Sequence, residues 1–248
     1  AEVDEAGLAT GSDSASDSEI YTDTIGISGG TGPYTFSLDG SGDGTYGTLT
    51  LNSTTGEYTY TLDTAFDTSP DADNGAHTET GAESFGYTVT DANGNTTTGS
   101  IVVDIIDDVP TAYADSNDVT EGDEVSGNVL TDGTADVFGA DGQGGIAGVR
   151  AAGGDTTTDV SGGVGDPIVG LYGTLTLGAN GAYTYEATAD ALTGDETDVF
   201  VYTIEDADGD LSTATLSIDV ANATLVATDS DAEVDEAGLA TGSDSASD

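Results

Sequence analysis

Residues 46–62 open with Tyr46-Gly47-Thr48-Leu49-Thr50-Leu51, turn at a polar segment closed by Gly56, and return as Tyr58-Thr59-Tyr60-Thr61-Leu62. Apolar and hydroxyl side chains alternate one by one along both halves, which puts one face of an extended chain in a core and the other in water. The device returns downstream as Tyr172-Gly173-Thr174-Leu175-Thr176-Leu177, a turn at Gly181, and Tyr183-Thr184-Tyr185. Two such hairpins predict two copies of one β module.

Further pairs support that reading. Tyr34, Phe36 and Leu38 alternate with Thr and Ser. Phe85-Gly86-Tyr87-Thr88-Val89 matches Phe200-Val201-Tyr202-Thr203-Ile204, and Ile101-Val102-Val103-Asp104 matches Leu216-Ser217-Ile218-Asp219. The offset is 126 residues at the first block and 115 at the last, so the first module carries 11 extra residues, placed within the Ser/Pro/Asp/Gly-rich stretch 67–82. A second, exact repeat lies above this one: residues 1–17 recur unchanged at 232–248, a period of 231 residues. Such self-similarity marks an array. The expected layout is a module at 1–109, a homologous one at 110–225 and the start of the next copy at 226–248. Helical periodicity is absent at useful length. About seven short strands per module, with turn signals every 8–12 residues, predict an all-β architecture of tandem immunoglobulin-like β-sandwich modules.

The charge balance limits partners. There are 48 acidic residues against one Arg150, for a formal net charge of −47. Nucleic acid binding needs Lys and Arg to displace phosphate counterions, and anionic membranes attract basic segments, so both are excluded. Direct membrane insertion is excluded too, because no apolar run approaches the roughly 18–20 residues of a span. A chain this acidic repels itself when compact, and multivalent cations offset that. Cys is absent, so neither a disulfide nor a thiolate metal site can staple the modules. Oxygen-ligated metal can.

Asp206-Ala207-Asp208-Gly209-Asp210 is the sharpest local signal. It joins the alternating segments 199–204 and 213–220, so it is the turn of the hairpin formed by the last two strands. Asp residues two apart, with a Gly permitting the turn, can wrap a hard cation such as Ca2+; an ordinary Asp/Gly turn is the plain alternative. In a sandwich of this type that turn faces the incoming linker, Asp104-Ile105-Ile106-Asp107-Asp108-Val109-Pro110. Asp104, Asp107 and Asp108 would then meet Asp206, Asp208 and Asp210 at one junction, a crowding that a divalent cation makes favourable. The matching turn of the first module, Asp91-Ala92-Asn93-Gly94-Asn95, substitutes Asn for Asp at two positions; a weaker site through Asp91, Asn93 and Asn95 and a plain hairpin turn both fit. Asn222 and Ala223 replace Asp107 and Asp108 in the second linker, weakening that junction unless Asp229 and Asp231 compensate. Glu5, Glu121 and Glu236 recur at the half period and could reach a junction, with a solvated strand charge as the plainer reading.

Catalysis has little to work with. The single His77 lies in the polar insertion of the first module and reads as a loop residue, so neither a Ser-His nor a Cys-His pair can form. Gly162-Gly163-Val164-Gly165-Asp166 approaches a calcium-binding nonapeptide, but its Asp is one place early and the motif occurs once, so it reads as a loop. The chain is expected not to be an enzyme.

The openings Val3-Asp4-Glu5-Ala6-Gly7-Leu8-Ala9-Thr10-Gly11-Ser12-Asp13 and Val119-Thr120-Glu121-Gly122-Asp123-Glu124-Val125-Ser126-Gly127-Asn128-Val129-Leu130 resemble repeat starts in giant RTX adhesins exported by type I secretion. The turn 206–210 and its flanking strands resemble the end of VCBS-type, cadherin-like bacterial repeats. This resemblance implies stalk modules, secreted unfolded, that fold at the cell surface and are stiffened by calcium at their junctions in support of adhesion and biofilm formation. It points to Asp107, Asp108, Asp206, Asp208 and Asp210 as ligands, to neighbouring repeats of the same chain as partners, and to a monomeric fragment. The alternative from another class is a binding module presenting its Gly-rich loop 139–165 to a glycan or a protein.

Overall fold

A computed structural model describes residues 1–66 and 77–223. Most of the expected insertion (67–76) and the start of the next copy (224–248, with Asp229, Asp231 and Glu236) lie outside the described residues.

Residues 1–106 hold strands β1 (Glu2–Asp4), β2 (Ile20–Thr24), β3 (Thr35–Leu38), β4 (Gly47–Leu51), β5 (Glu57–Leu62), β6 (Thr78–Thr90) and β7 (Thr96–Ile106). They form two facing sheets, β1-β7-β6-β3 and β2-β5-β4. Residues 115–221 repeat the plan with β8 (Asp115–Thr120), β9 (Glu124–Asn128), β10 (Gln143–Ala151), β11 (Pro167–Val169), β12 (Gly173–Leu177), β13 (Ala182–Ala187), β14 (Glu196–Asp206) and β15 (Leu211–Ala221). Their sheets are β10-β14-β15-β8 and β11-β12-β13-β9. In both modules the first strand pairs parallel with the last: Val3 with Ile105, and Val119 with Val220. Among the described residues, the other pairs of named strands are antiparallel. Each module is therefore an immunoglobulin-like sandwich, and the fold is all-β.

The repeated hairpin lies at the centre of each core. Leu49, Tyr60 and Leu62 are buried in the first module, as are Leu175, Leu177 and Tyr185 in the second. Alternation predicts this directly. Tyr60 packs on Phe85 and Tyr185 on Phe200, each with ring centroids 5.9 Å apart. The Tyr-Gly start of the motif has a steric cause: a Cβ on Gly47 or Gly173 would overlap the ring of Tyr60 or Tyr185.

The hydroxyls of Tyr60 and Tyr185 each end on a carboxylate. The Tyr185 hydroxyl donates to Asp198 at 3.0 Å, and Asp198 also accepts from the backbone amides of Leu171 and Tyr172. Glu83 does the same for Tyr60 (2.5 Å) and for the amides of Thr45 and Tyr46. With no Lys in the chain and one Arg, N–H and O–H donors take the place of basic side chains.

Strict alternation fails in one strand. Phe200 through Ile204 of β14 are all buried. The inner face meets the core; the outer face is covered by segment 152–163, where Ala152 and Val160 pack on Val201 and the Val160 amide donates to Thr203 at 2.8 Å. The Gly162–Asp166 segment belongs to this cover, with Gly162 bridged to Gly148 of β10. The last two strands of each module also run longer than the sequence pattern predicts, because β-pairing continues beyond the apolar residues to the polar ends.

Replacing Asp198 by Ala orphans two part-buried amides and a buried phenol. The expected loss is about 2–4 kcal/mol, seen as a lower denaturant midpoint, with Asp198→Asn losing less. An unchanged midpoint for Asp198→Ala would show that the carboxylate does not hold this corner.

Candidate metal centre

Four stretches of chain converge where the modules meet. The 3-10 turn Glu5–Gly7 follows β1 directly and buries Glu5. Asp107 is the first residue after β7, and its amide donates to the His77 carbonyl at 2.8 Å. Loop 139–142 of the second module leans across: Ala140 packs against the first module's core, and its carbonyl accepts from the Thr10 hydroxyl at 3.2 Å. The β14–β15 turn is stitched to this loop by the Ala207 amide donating to the Gly142 carbonyl at 3.1 Å.

These contacts bring six carboxylates together. Glu5, Asp107 and Asp141 offer oxygens within 4.8 Å of one another; so do Asp107, Asp208 and Asp210, and likewise Asp141, Asp206 and Asp208. Each pair of triads shares one residue, so the cluster is continuous across both modules and the linker. The turn is shaped before any cation arrives. Asp206 Oδ1 accepts from the amides of Gly209 (3.0 Å) and Asp210 (2.7 Å), and Gly209 sits at φ 114°, a backbone state that glycine tolerates.

Several oxygens in the cluster meet no donor. Glu5 Oε1 accepts from the Phe66 amide at 2.5 Å, while Oε2 is buried and accepts nothing. Both oxygens of Asp107 and Oδ2 of Asp206 are in the same state. Burial pushes the Glu5 carboxyl up to about 8, with Asp141 and Asp208 adding to the rise against the amides of Phe66 and Asp108. Asp107 and Asp206 are also raised, first by burial and then by the neighbouring carboxylates Asp210 and Asp208 respectively. Buried anions facing one another cost several kcal/mol unless a counter-charge is supplied. Hard oxygen donors, an irregular loop geometry and no nitrogen or sulfur ligand fit calcium among common cations.

Other expected ligands are placed differently. Asp108 is buried beside the cluster but outside its triads; its oxygens accept from the Ser12 amide (2.7 Å) and hydroxyl (2.5 Å), tying the linker to the first module. Asp104 accepts from the Gly81 amide at 2.7 Å. The Asp91 turn is exposed and closed on itself: Asp91 accepts from the amides of Asn93 and Asn95, the Asn95 side chain and the Thr31 amide. These four donors hold Asp91 below the usual carboxylate range, the Asn95 side chain foremost. His77 pairs with Glu79 at 3.6 Å.

Glu121, the counterpart of Glu5, is fully satisfied. Its Oε2 accepts from the amides of Ala191 and Leu192, and its Oε1 from the amide of Ala223. Asn222, standing where the first linker has Asp107, donates its side-chain amide to the Leu192 carbonyl at 2.8 Å. Asp141 was missed by sequence reasoning, since a lone Asp in a Gly-rich loop has no local pattern. Glu5 had a signal in its half-period recurrence.

A family model described as a bacterial Ig domain matches residues 107–219. The match starts at Asp107 and supports reading the chain as a bacterial Ig-like repeat. A search of curated proteins finds no match. Among solved structures, the chain is similar to a nucleoside hydrolase-related hypothetical protein from Saccharophagus degradans (11% identity, 46% of this chain and 26% of that one, TM-score 0.31). It is also similar to Drosophila N-cadherin EC1-3 (14%, 77% and 55%, TM-score 0.33) and to titin domains I67–I69 (13%, 89% and 63%, TM-score 0.27). The chain spans less than two thirds of each. The fold assignment rests on strand order and register.

The junction carries a pH signature. With metal chelated, Glu5 keeps its proton in the folded chain up to about pH 8, whereas the unfolded chain releases it near 4.5. Its contribution to stability is complete below about pH 4.5 and is lost as pH rises toward 8. The melting temperature in chelator should therefore fall between pH 5 and 8, less so in Glu5→Gln, and calcium at pH 8 should restore it. Parallel pH profiles for the parent and Glu5→Gln in chelator would refute the assignment.

Proposed function

We propose that the chain is a structural extender unit of a secreted bacterial adhesin at the cell surface, with calcium at the 1–2 junction fixing the angle between modules. The observation that supports this is the six-carboxylate cluster: Glu5 from one module, Asp107 from the linker, and Asp141, Asp206, Asp208 and Asp210 from the other. Ions bound there would hold four stretches distant in sequence and turn a hinge into a fixed joint. Asp108 adds a metal-independent tie. Secretion of an unfolded chain from a low-calcium cytosol by a type I system, followed by folding outside, suits such a design. Extracellular sites of this class bind with dissociation constants on the order of 0.1–1 mM. At 100-fold excess calcium, one site adds about 2.7 kcal/mol. The role is mechanical support for adhesion and biofilm formation, and no catalytic step is assigned.

The next joint along the array is built differently. Glu121 and Asn222 are committed to hydrogen bonds within their own module, so this end offers fewer oxygens to an ion. On this reading, stiff and softer joints alternate along the stalk. The rival binding role for loop 139–165 gains no support from the packing of Val160 and Gly162 onto β10 and β14.

Small-angle scattering tests the reading. Calcium should narrow the pair-distance distribution and fix the maximum dimension at that of two modules end to end; chelator should broaden it. The double variant Asp208→Ala/Asp210→Ala should lose this response and most of the calcium-induced gain of about 2.7 kcal/mol per site. Identical scattering and melting with and without calcium would sink the stiffening idea, and a positive glycan array would favour the binding role.

A further inference from the structure

A second place, inside the 115–221 module, gathers oxygen acceptors around a single donor. Tyr202 of β14 is 1% exposed. Its hydroxyl lies 2.6 Å from the Tyr113 carbonyl, 3.1 Å from Asp115 Oδ2, 3.3 Å from the Val129 carbonyl and 3.3 Å from Asp136 Oδ2. A phenol has one proton to give, and the shortest contact is to Tyr113. The remaining acceptors need another partner.

Asp115 makes the shortage acute. It is 6% exposed, and its Oδ1 accepts no hydrogen bond. That oxygen faces the 132–136 turn, since a Cβ on Gly133 would sit 3.3 Å from it. Asp136 spends Oδ1 on the Tyr113 amide at 2.7 Å, and Asp132 spends Oδ2 on the Asn128 amide at 2.7 Å. No basic side chain is at hand: the sole Arg150 is engaged by the carbonyls of Ala151, Ala152 and Asp155 and by the Asp155 carboxylate. Burial pushes Asp115 up to about 6, with Asp136 and Asp132 adding to the rise and the Tyr202 hydroxyl opposing it. At pH 7 it is therefore mostly ionised, a buried anion among other acceptors.

We infer that this module holds a divalent cation of its own between Asp115 and Asp136, with the carbonyls of Tyr113 and Val129 within reach and the Tyr202 hydroxyl beside it. Two carboxylates and two carbonyls, drawn from the start of β8 and the irregular segments around it rather than from a regular octahedral frame, suit calcium better than magnesium. The ion would tie the segment entering the module (Tyr113) and the start of β8 (Asp115) to the β9–β10 loop and to β14. That region lies just beyond the junction, and the site shares no residue with it.

The test uses the whole chain with the junction weakened by Asp107→Asn/Asp208→Asn, and compares it with the same chain carrying Asp115→Asn. Calcium calorimetry counts ions, and terbium emission sensitised by tyrosine reports an ion beside Tyr202. The expected result is one ion fewer per chain and loss of most sensitised emission on Asp115→Asn. The variant's melting temperature in chelator should equal or exceed that of its parent, because a buried charge has gone. Calcium should raise the parent by about 5 °C or more and the variant by little. The proposal is overturned if both chains bind the same number of ions. It is equally overturned if the variant melts lower in chelator and gains as much from calcium, which would make Asp115 a plain hydrogen-bonding residue.

Discussion

The constraint behind this structure is that carboxylates must be buried in a chain with almost no positive charge. Forty-eight acidic residues face one Arg, so ion pairing is closed as a general solution. Hydrogen-bond donors meet most of the need. Asp198 and Glu83 each collect two amides and a phenol, and Glu121 collects three amides. A carboxylate that accepts several donors stays charged at modest cost. Where donors run out, oxygens are left facing one another, and those places are where a cation has the most to contribute.

Glu5 and Glu121 occupy equivalent positions, which makes the comparison clean. Both follow the first strand of a module, and both take amides from the loop after the repeated hairpin and from the linker. The difference comes from the next residues along. Asp107 and Asp108 end the first module, and the Asp107 oxygens accept no hydrogen bond; Asn222 and Ala223 end the second, and Asn222 can donate as well as accept. With a neutral amide in place of the Asp107 carboxylate, the second corner closes by hydrogen bonds where the first leaves oxygens without donors.

Much of the fold was legible because alternation is a short-range signal that core packing obeys. Leu49, Tyr60, Leu175 and Tyr185 all face inward as the pattern predicts. It failed at Phe200–Ile204 because the outer face of β14 is covered by a loop more than forty residues away in sequence, and no local period encodes that. The site divides along the same line. Asp206, Asp208 and Asp210 share a turn whose spacing can be read, and Asp107 adjoins a strand end fixed by Pro110. Asp141 arrives through the packing of Ala140 on the other module, a contact between surfaces that the chain states nowhere locally. The Asp91 turn has nearly the same spelling as the 206–210 turn, yet its Asn residues supply the donors that close it.

Position in the sheet links the junction to folding itself. Asp107 continues β7, whose parallel partner β1 runs straight into Glu5. The first and last strands of the module therefore end side by side at the carboxylate cluster, Glu5 following one and Asp107 the other. Wherever both carboxyls are ionised, their repulsion acts to separate β1 from β7 at an edge held by only three residue pairs. A cation reverses the sign of that force, so occupancy of the junction and closure of the first sandwich are coupled through the backbone. On the proposed reading, an ion that sets the angle between modules would also secure the shortest strand of the sheet on which that angle depends.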